Sequence, residues 1–126
     1  MGVRIAIASY GTFEQFIHQI KPFYSEEVEF VILNALFEDL KDEVRRLEKD
    51  HSVDVFVGSG GNGRFLGKYV QETPFVKVKV TGFDFLLALK KAAQYGKCTG
   101  LITFGERVPF VSSVKELLNV EVTERV

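Results

Sequence analysis

Apolar and polar positions alternate between two periods along this chain. Val3–Ser9 is a short apolar run, which predicts a strand buried on both faces. Phe13, Phe16, Ile17 and Ile20 then recur at i, i+3, i+4 and i+7, one face of a helix. Thr12 and Gln15 have the spacing of a capping box, with Thr12 as the cap. Val28–Leu33 predicts a second strand, and Leu36, Phe37, Leu40, Val44 and Leu47 a second helix. The other face of that helix carries Glu38, Asp39, Lys41, Asp42, Glu43, Arg45 and Arg46. It reads as a solvated face with i,i+4 pairs worth a few tenths of a kcal/mol each.

The same alternation continues to the end. Val53–Val57 is a third strand, followed by a glycine-rich segment and a helix lined by Phe65, Leu66, Tyr69 and Val70. Phe75–Val80 is a fourth strand. There Val76, Val78 and Val80 alternate with Lys77 and Lys79, which predicts one polar face and a place at an edge or beside a cleft. Thr81-Gly82-Phe83-Asp84 makes a turn, with Asp84 as the N-cap of a helix through Ala93 and Gly96 as its stop. Gly100–Phe104 is a fifth strand. Pro109 is placed to open a helix lined by Phe110, Val111, Val114, Leu117 and Leu118, and Val120–Glu124 is a short sixth strand.

This order predicts an α/β domain, doubly wound around a mainly parallel sheet. Ligands in such folds bind beyond the carboxyl ends of the strands. That rule selects Ser9-Tyr10-Gly11, Asn34, Gly58–Gly63, Thr81–Asp84 and Thr103–Glu106, loops rich in Gly, Ser, Thr and Asn.

Composition narrows the class. The chain has 126 residues, 46% of them hydrophobic, and a formal net charge of −1. That length supports a buried core, and the near-neutral balance leaves no electrostatic footprint for nucleic acid. The single cysteine, Cys98, allows no internal disulfide and is expected to be an inert buried thiol in a reducing cytoplasm. No apolar run approaches the roughly 18 residues of a membrane span, and the first run is too short for a signal peptide.

The segment Gly58-Ser59-Gly60-Gly61-Asn62-Gly63 fits the G-x-G-x-x-G dinucleotide pattern. It follows the third strand rather than the first, however, and the next strand ends Lys79-Val80-Thr81 without the ribose-binding acid. A phosphate-gripping P-loop needs Lys-Ser/Thr after the last glycine, where this chain has Arg64-Phe65. A third reading is a pocket wall. Glycines let backbone N–H groups approach a ligand, and a helix starting after Gly63 favours an anion. A fourth is a tight turn whose glycines merely supply positive φ. The residues alone leave these last two open.

Catalytic constellations are thin. His18 and His51 suit a helix surface and a helix C-terminus, and with Cys98 they have no metal-ligand spacing. The ends of the first and third strands lack the acidic cluster of a phosphoacceptor receiver. No cofactor and no enzymatic activity are expected. The competing expectation is a nucleotide-binding α/β enzyme domain that uses the glycine segment.

Several longer segments carry a resemblance. VDVFV with GSGGNGRFL, then PFVKVKVTGFDFLLALKKA, GLITFGERVPFV and the terminal Glu124-Arg125-Val126 occur in this order. With them the chain resembles the N-terminal sensor domain of the propionate-catabolism activator PrpR family, which belongs to the sigma-54-dependent bacterial transcription regulators. The resemblance is strongest over residues 53–126 and looser before them.

It implies a three-layer α/β/α, periplasmic-binding-like or chelatase-like fold with flavodoxin-like lobes. Residues 1–80 would form the first lobe, 81–97 a crossover helix and 98–126 the start of a second lobe cut short. In the family the chain continues to an ATPase domain and a helix-turn-helix domain. DNA and sigma-54 RNA polymerase would be met only through those.

The implied ligand is 2-methylcitrate or another small carboxylate, sensed in the cytoplasm without a membrane. Its expected contacts are Ser9, Tyr10, Ser59, Gly60, Gly61, Asn62, Gly63, Lys79, Thr81, Gly82, Thr103 and Glu106. Lys79 would supply positive charge, unless it only guards a strand edge. Glu106 suits a hinge better than an anion contact. A homodimer is expected from the unfinished second sheet.

Overall fold

The computed structural model describes residues 2–9, 11–24, 26–103, 105 and 107–126. The chain divides into two compact units, Met1–Lys79 and Val80–Val126.

The first unit runs β1 (Val3–Ala8), α1 (Thr12–Tyr24), β2 (Val28–Leu33), a 3-10 turn (Phe37–Asp39), α2 (Leu40–Lys49), β3 (Val55–Ser59), α3 (Gly60–Tyr69) and β4 (Phe75–Val78). Its four strands are parallel and ordered β2-β1-β3-β4. β1→α1→β2 steps one way across the sheet, and the next two crossovers step the other. Right-handed connections therefore put α1 on one face and α2 and α3 on the opposite one. This is a three-layer α/β/α arrangement, as the alternating pattern predicts.

Parallel register decides which residues share a face. Ala6 pairs with Val31 and Phe56, and Phe56 with Phe75. These residues join Ala8, Leu33, Leu40, Val44, Leu47 and Leu66 in the core beneath α2 and α3. Phe56, Leu40, Leu66 and Val44 are among the fully buried side chains. Each contributes on the order of 1.5–3 kcal/mol of burial. Ile7 is buried on the other face, towards α1.

This register corrects one expectation. β4 is an edge strand, as its alternation suggests, but its valines are the open positions. Val76 pairs with Val57 on the α1 face and is 52% exposed, whereas Lys77 pairs with Gly58 on the α3 face and is half-buried. Phe75, drawn into the core, sets that phase.

Polar anchors hold the other end of the sheet. The Arg4 guanidinium meets both Glu29 carboxylate oxygens at 3.0 and 3.2 Å and donates to the Ser52 carbonyl at 2.6 Å. The Glu48 carboxylate accepts from the backbone N–H groups of Gln71, Glu72 and Thr73 at 2.9–3.3 Å, pinning the connection from α3 to β4. Burial pushes its pKa up, but these N–H groups outweigh burial and leave it below the usual carboxylate value.

The second unit contains α4 (Gly82–Ala92), β5 (Cys98–Ile102), α5 (Val111–Leu118) and β6 (Glu121–Arg125). β5 and β6 pair in parallel. Phe85 and Leu89 of α4 pack with Val114 and Val120, and Leu101, Val111 and Val122 close around them. Two strands alone make a marginal sheet, so this helix packing supplies most of the unit's core.

Several local expectations change. Thr12 is the first helical residue of α1, not its cap. Gly11, at φ +57°, occupies the cap position and accepts the Gln15 N–H at 3.3 Å. Pro109 lies outside α5, because Phe110 takes a left-handed φ of 69° and delays the helix to Val111. Cys98 is exposed rather than buried, since Thr99 and Leu101 are the inward positions of β5.

Candidate ligand-binding site

Crossovers leave β1 and β3 in opposite directions, and a crevice opens between their carboxyl ends. In the first unit a cavity of about 370 Å³ lies there, lined by Ala8, Phe13, Leu36, Phe37, Ser59, Gly61 and Asn62. Small-molecule sites usually begin near 300 Å³, so one compact ligand fits.

The glycine segment is helix rather than loop. α3 starts at Gly60, immediately after Ser59 in extended conformation (φ −132°, ψ 160°). Each glycine has its own reason. Gly60 has φ +56°, which only glycine adopts without cost. Gly58 and Gly63 bring β3 and α3 into backbone contact. A Cβ on Gly63 would lie 3.0 Å from the carbonyl carbon and oxygen of Gly58. Gly61 forms part of the cavity wall.

Ser59 is a good capping residue at the cap position, yet its side chain makes no cap hydrogen bond. The first turn of α3 carries no acid either. Its first N–H groups lack intrahelical partners and present about half a positive charge.

Asn62 is buried, and its Oδ1 accepts from the Phe37 N–H at 3.1 Å. Phe37 has φ 50°, uncommon for a bulky side chain. This bond therefore helps to hold the Phe37 ring in the wall. That ring also meets Phe65, centroid to centroid at 5.6 Å, and Lys68 Nζ lies 5.0 Å from the Phe65 centroid. Ser9 follows the wall residue Ala8. It is 5% exposed, and its Oγ has no hydrogen-bond partner among the described residues.

The other expected contacts are placed as follows. Tyr10 and Glu106 lie outside the described residues. Gly60 is exposed at the start of α3, and Gly63 is spent on packing. Lys79 is exposed beyond the end of β4 and is not a wall residue. Thr81, Gly82 and Thr103 belong to the second unit.

Thr81 and Asp84 form a reciprocal capping box. Thr81 Oγ1 accepts the Asp84 N–H at 3.2 Å, and Asp84 Oδ2 accepts the Thr81 N–H at 2.9 Å. The cap of α4 is thus Thr81, with Asp84 at the third helical position, because the helix starts three residues earlier than expected. The Thr81 hydroxyl, which donates to Asp84 Oδ2 at 2.6 Å, and then its N–H hold the Asp84 pKa below the usual carboxylate value. Thr103 donates its N–H to the Arg125 carbonyl at 2.9 Å, and its buried Oγ1 has no partner among the described residues.

Phe13, Leu36 and Phe37 are the wall residues that periodicity assigned to helix faces. Among the described residues no group of three or more His, Cys, Asp and Glu side chains could hold a metal ion. His18 only meets Glu14 across an exposed helix face, at 3.6 Å.

Comparison with known proteins agrees with this architecture. A family model described as "Propionate catabolism activator" matches residues 1–126. Among solved structures, the chain is similar to the crystal structure of an NtrC family transcriptional regulator from Clostridium acetobutylicum. The two are 20% identical with a TM-score of 0.76, over 98% of this chain and 64% of that one. At that identity the match speaks for the fold, and this chain spans just under two thirds of the neighbour's length.

Proposed function

The chain belongs to the N-terminal family of propionate catabolism activators, and from that premise we propose that it is the ligand-sensing domain of a sigma-54-dependent transcription activator. Its ligand is a small carboxylate, with 2-methylcitrate the reference compound of the family resemblance. The domain binds and releases this ligand in the cytoplasm and transforms nothing.

The observation that carries the reading is the cavity at the strand ends, bordered by the uncapped start of α3. Backbone N–H groups and a helix dipole suit a carboxylate. In this reading residues 1–80 are the first lobe, 81–97 the crossover and 98–126 the start of the second. Binding acts only as far as the ligand distinguishes two states of the regulator. Contacts with DNA and RNA polymerase fall to other domains of such an activator, and the short β5–β6 sheet suits pairing in a homodimer.

A thermal-shift series on the full chain tests this, with 2-methylcitrate, other carboxylates, NAD and ATP at equal concentrations. A ligand at 100 times its dissociation constant stabilises by about 2.7 kcal/mol, several degrees for a domain of this size. Carboxylates should raise the melting temperature and the nucleotides leave it unchanged. Stabilisation by NAD or ATP alone would return the glycine segment to a nucleotide role.

A further inference from the structure

One residue of the cavity wall is held in place from two directions. Phe37 opens the 3-10 turn with φ 50°, a conformation that a bulky residue keeps only where its surroundings impose it. Here α3 imposes it. Asn62 Oδ1 accepts the Phe37 N–H at 3.1 Å, and the Phe65 ring stands 5.6 Å from the Phe37 ring, tilted by 53°. Asn62 and Phe65 are three positions apart and so share one face of α3. Tyr69, four positions further on, backs Phe65 at 6.0 Å.

The backbone and the ring of Phe37 are thus fastened separately to the same helix. Burial does not explain this, since Phe37 lines the cavity and remains 40% exposed. A strained backbone that holds an open aromatic surface in a cavity wall points to a ligand contact. Phe13 and Leu36 extend that surface around the same cavity. Aromatic and aliphatic surface of this kind recognises an apolar group rather than a charge.

We propose that Phe37 is a specificity-determining residue of this cavity, where it reads a compact apolar group on the ligand, and that Asn62 is its positioning residue. The proposal rests on the sensor reading and adds that the carboxylates favoured here carry an alkyl substituent. It concerns the apolar half of the wall alone and assigns no partner to the carboxylate.

The test is isothermal titration of the full chain with two pairs of acids that differ by one methyl group: citrate with 2-methylcitrate, and succinate with methylsuccinate. The methyl group changes the apolar contact and leaves the number of carboxylates alike. The affinity ratio within a pair therefore isolates the wall from whatever holds the charge. In at least one pair the methylated acid should bind about fourfold more tightly, the worth of one buried methylene group.

Phe37→Ala should bring that ratio to about one and leave the unmethylated acid within about twofold. Asn62→Ala strands the Phe37 N–H and should lose the ratio as well. Asn62→Asp keeps an acceptor and should retain the ratio, even where its charge weakens both acids alike. Phe37→Ala alters an exposed side chain, so it decides the proposal even where Asn62→Ala does not fold.

Equal affinities within both pairs, or a ratio that survives Phe37→Ala, would overturn the proposal and leave the sensor reading standing. A ratio that survives Asn62→Ala, or is lost in Asn62→Asp, would overturn the positioning role. Silence from all four acids would overturn the proposal. The sensor reading falls with it only if every carboxylate of the thermal-shift series is silent too.

Discussion

Two helices of this chain begin with nearly the same four-residue grammar and arrive at opposite electrostatics. α3 starts Ser59-Gly60-Gly61-Asn62, and α4 starts Thr81-Gly82-Phe83-Asp84. Both cap residues are extended, and both are followed by glycine. Asp84 folds back onto Thr81, so the N–H groups of Thr81 and Asp84 are both satisfied locally. Asn62 bonds instead to Phe37, so α3 keeps its donors beside a cavity. One side-chain direction at the third helical position separates a helix start with a capping box from one without.

The largest expected effect tests how each helix is seated. A Cβ on Gly58 would lie 2.7 Å from Leu66 Cδ1 and 3.0 Å from Gly63 Cα, inside a fully buried layer. Gly58→Ala should therefore cost about 1–3 kcal/mol as an overpacking change. Gly82→Ala meets only the Phe110 ring, at 3.1 Å, and that exposed side chain can move. Thermal unfolding should rank Gly58→Ala clearly below Gly82→Ala. Equal losses would mean that α3 is not held by backbone contact.

Next comes the cap itself. Thr81→Ala removes a cap bond and should cost about 1 kcal/mol. Ser59 makes no such bond, so Ser59→Ala should cost only a few tenths of a kcal/mol without ligand. Chemical denaturation of both variants measures the difference, and a matching loss at Ser59 would close the open end of α3.

The smallest effect is one of pH. The folded pKa of Asp84 is lowered, so its contribution is present above the unfolded carboxylate value of about 3.9 and is lost as pH falls through the lower folded value. Glu48 behaves in the same direction within the first unit. Melting temperature followed from pH 6 to pH 2 should therefore decline, and Asp84→Asn should flatten part of that decline. Ser59→Ala should leave the shape unchanged, since the start of α3 holds no acid.

Much of the architecture was legible in the periodicity. Short apolar runs marked six strands, and i, i+3, i+4 spacing marked the helices between them, because burial on a pleated or helical surface imposes those periods. What depended on pairing was less legible. Whether Val76 or Lys77 faces inward follows from Phe75 pairing with Phe56, nineteen residues away in sequence. The glycine segment drew attention to the site, and Ser59, Gly61 and Asn62 do meet in one wall. Its apolar half stayed hidden, because Phe13 and Phe37 look like ordinary helix-face residues until the sheet order brings β1 beside β3. Asn62 was expected to offer its side chain to a ligand. Its bond to Phe37 spans 25 positions, a distance that no local pattern encodes.

That bond also bears on how such a domain can change over generations. Phe37 tolerates its left-handed backbone while position 62 offers an acceptor, and position 62 is tied to a neighbour that presents its N–H from that conformation. The two sites behave as one heritable character. Glycine at 37 would relieve the backbone and delete the ring, and a hydrophobic residue at 62 would keep the ring and strand its N–H. Drift at either position is therefore expected to be followed by drift at the other, so a change of ligand preference within this lineage would arrive in paired steps.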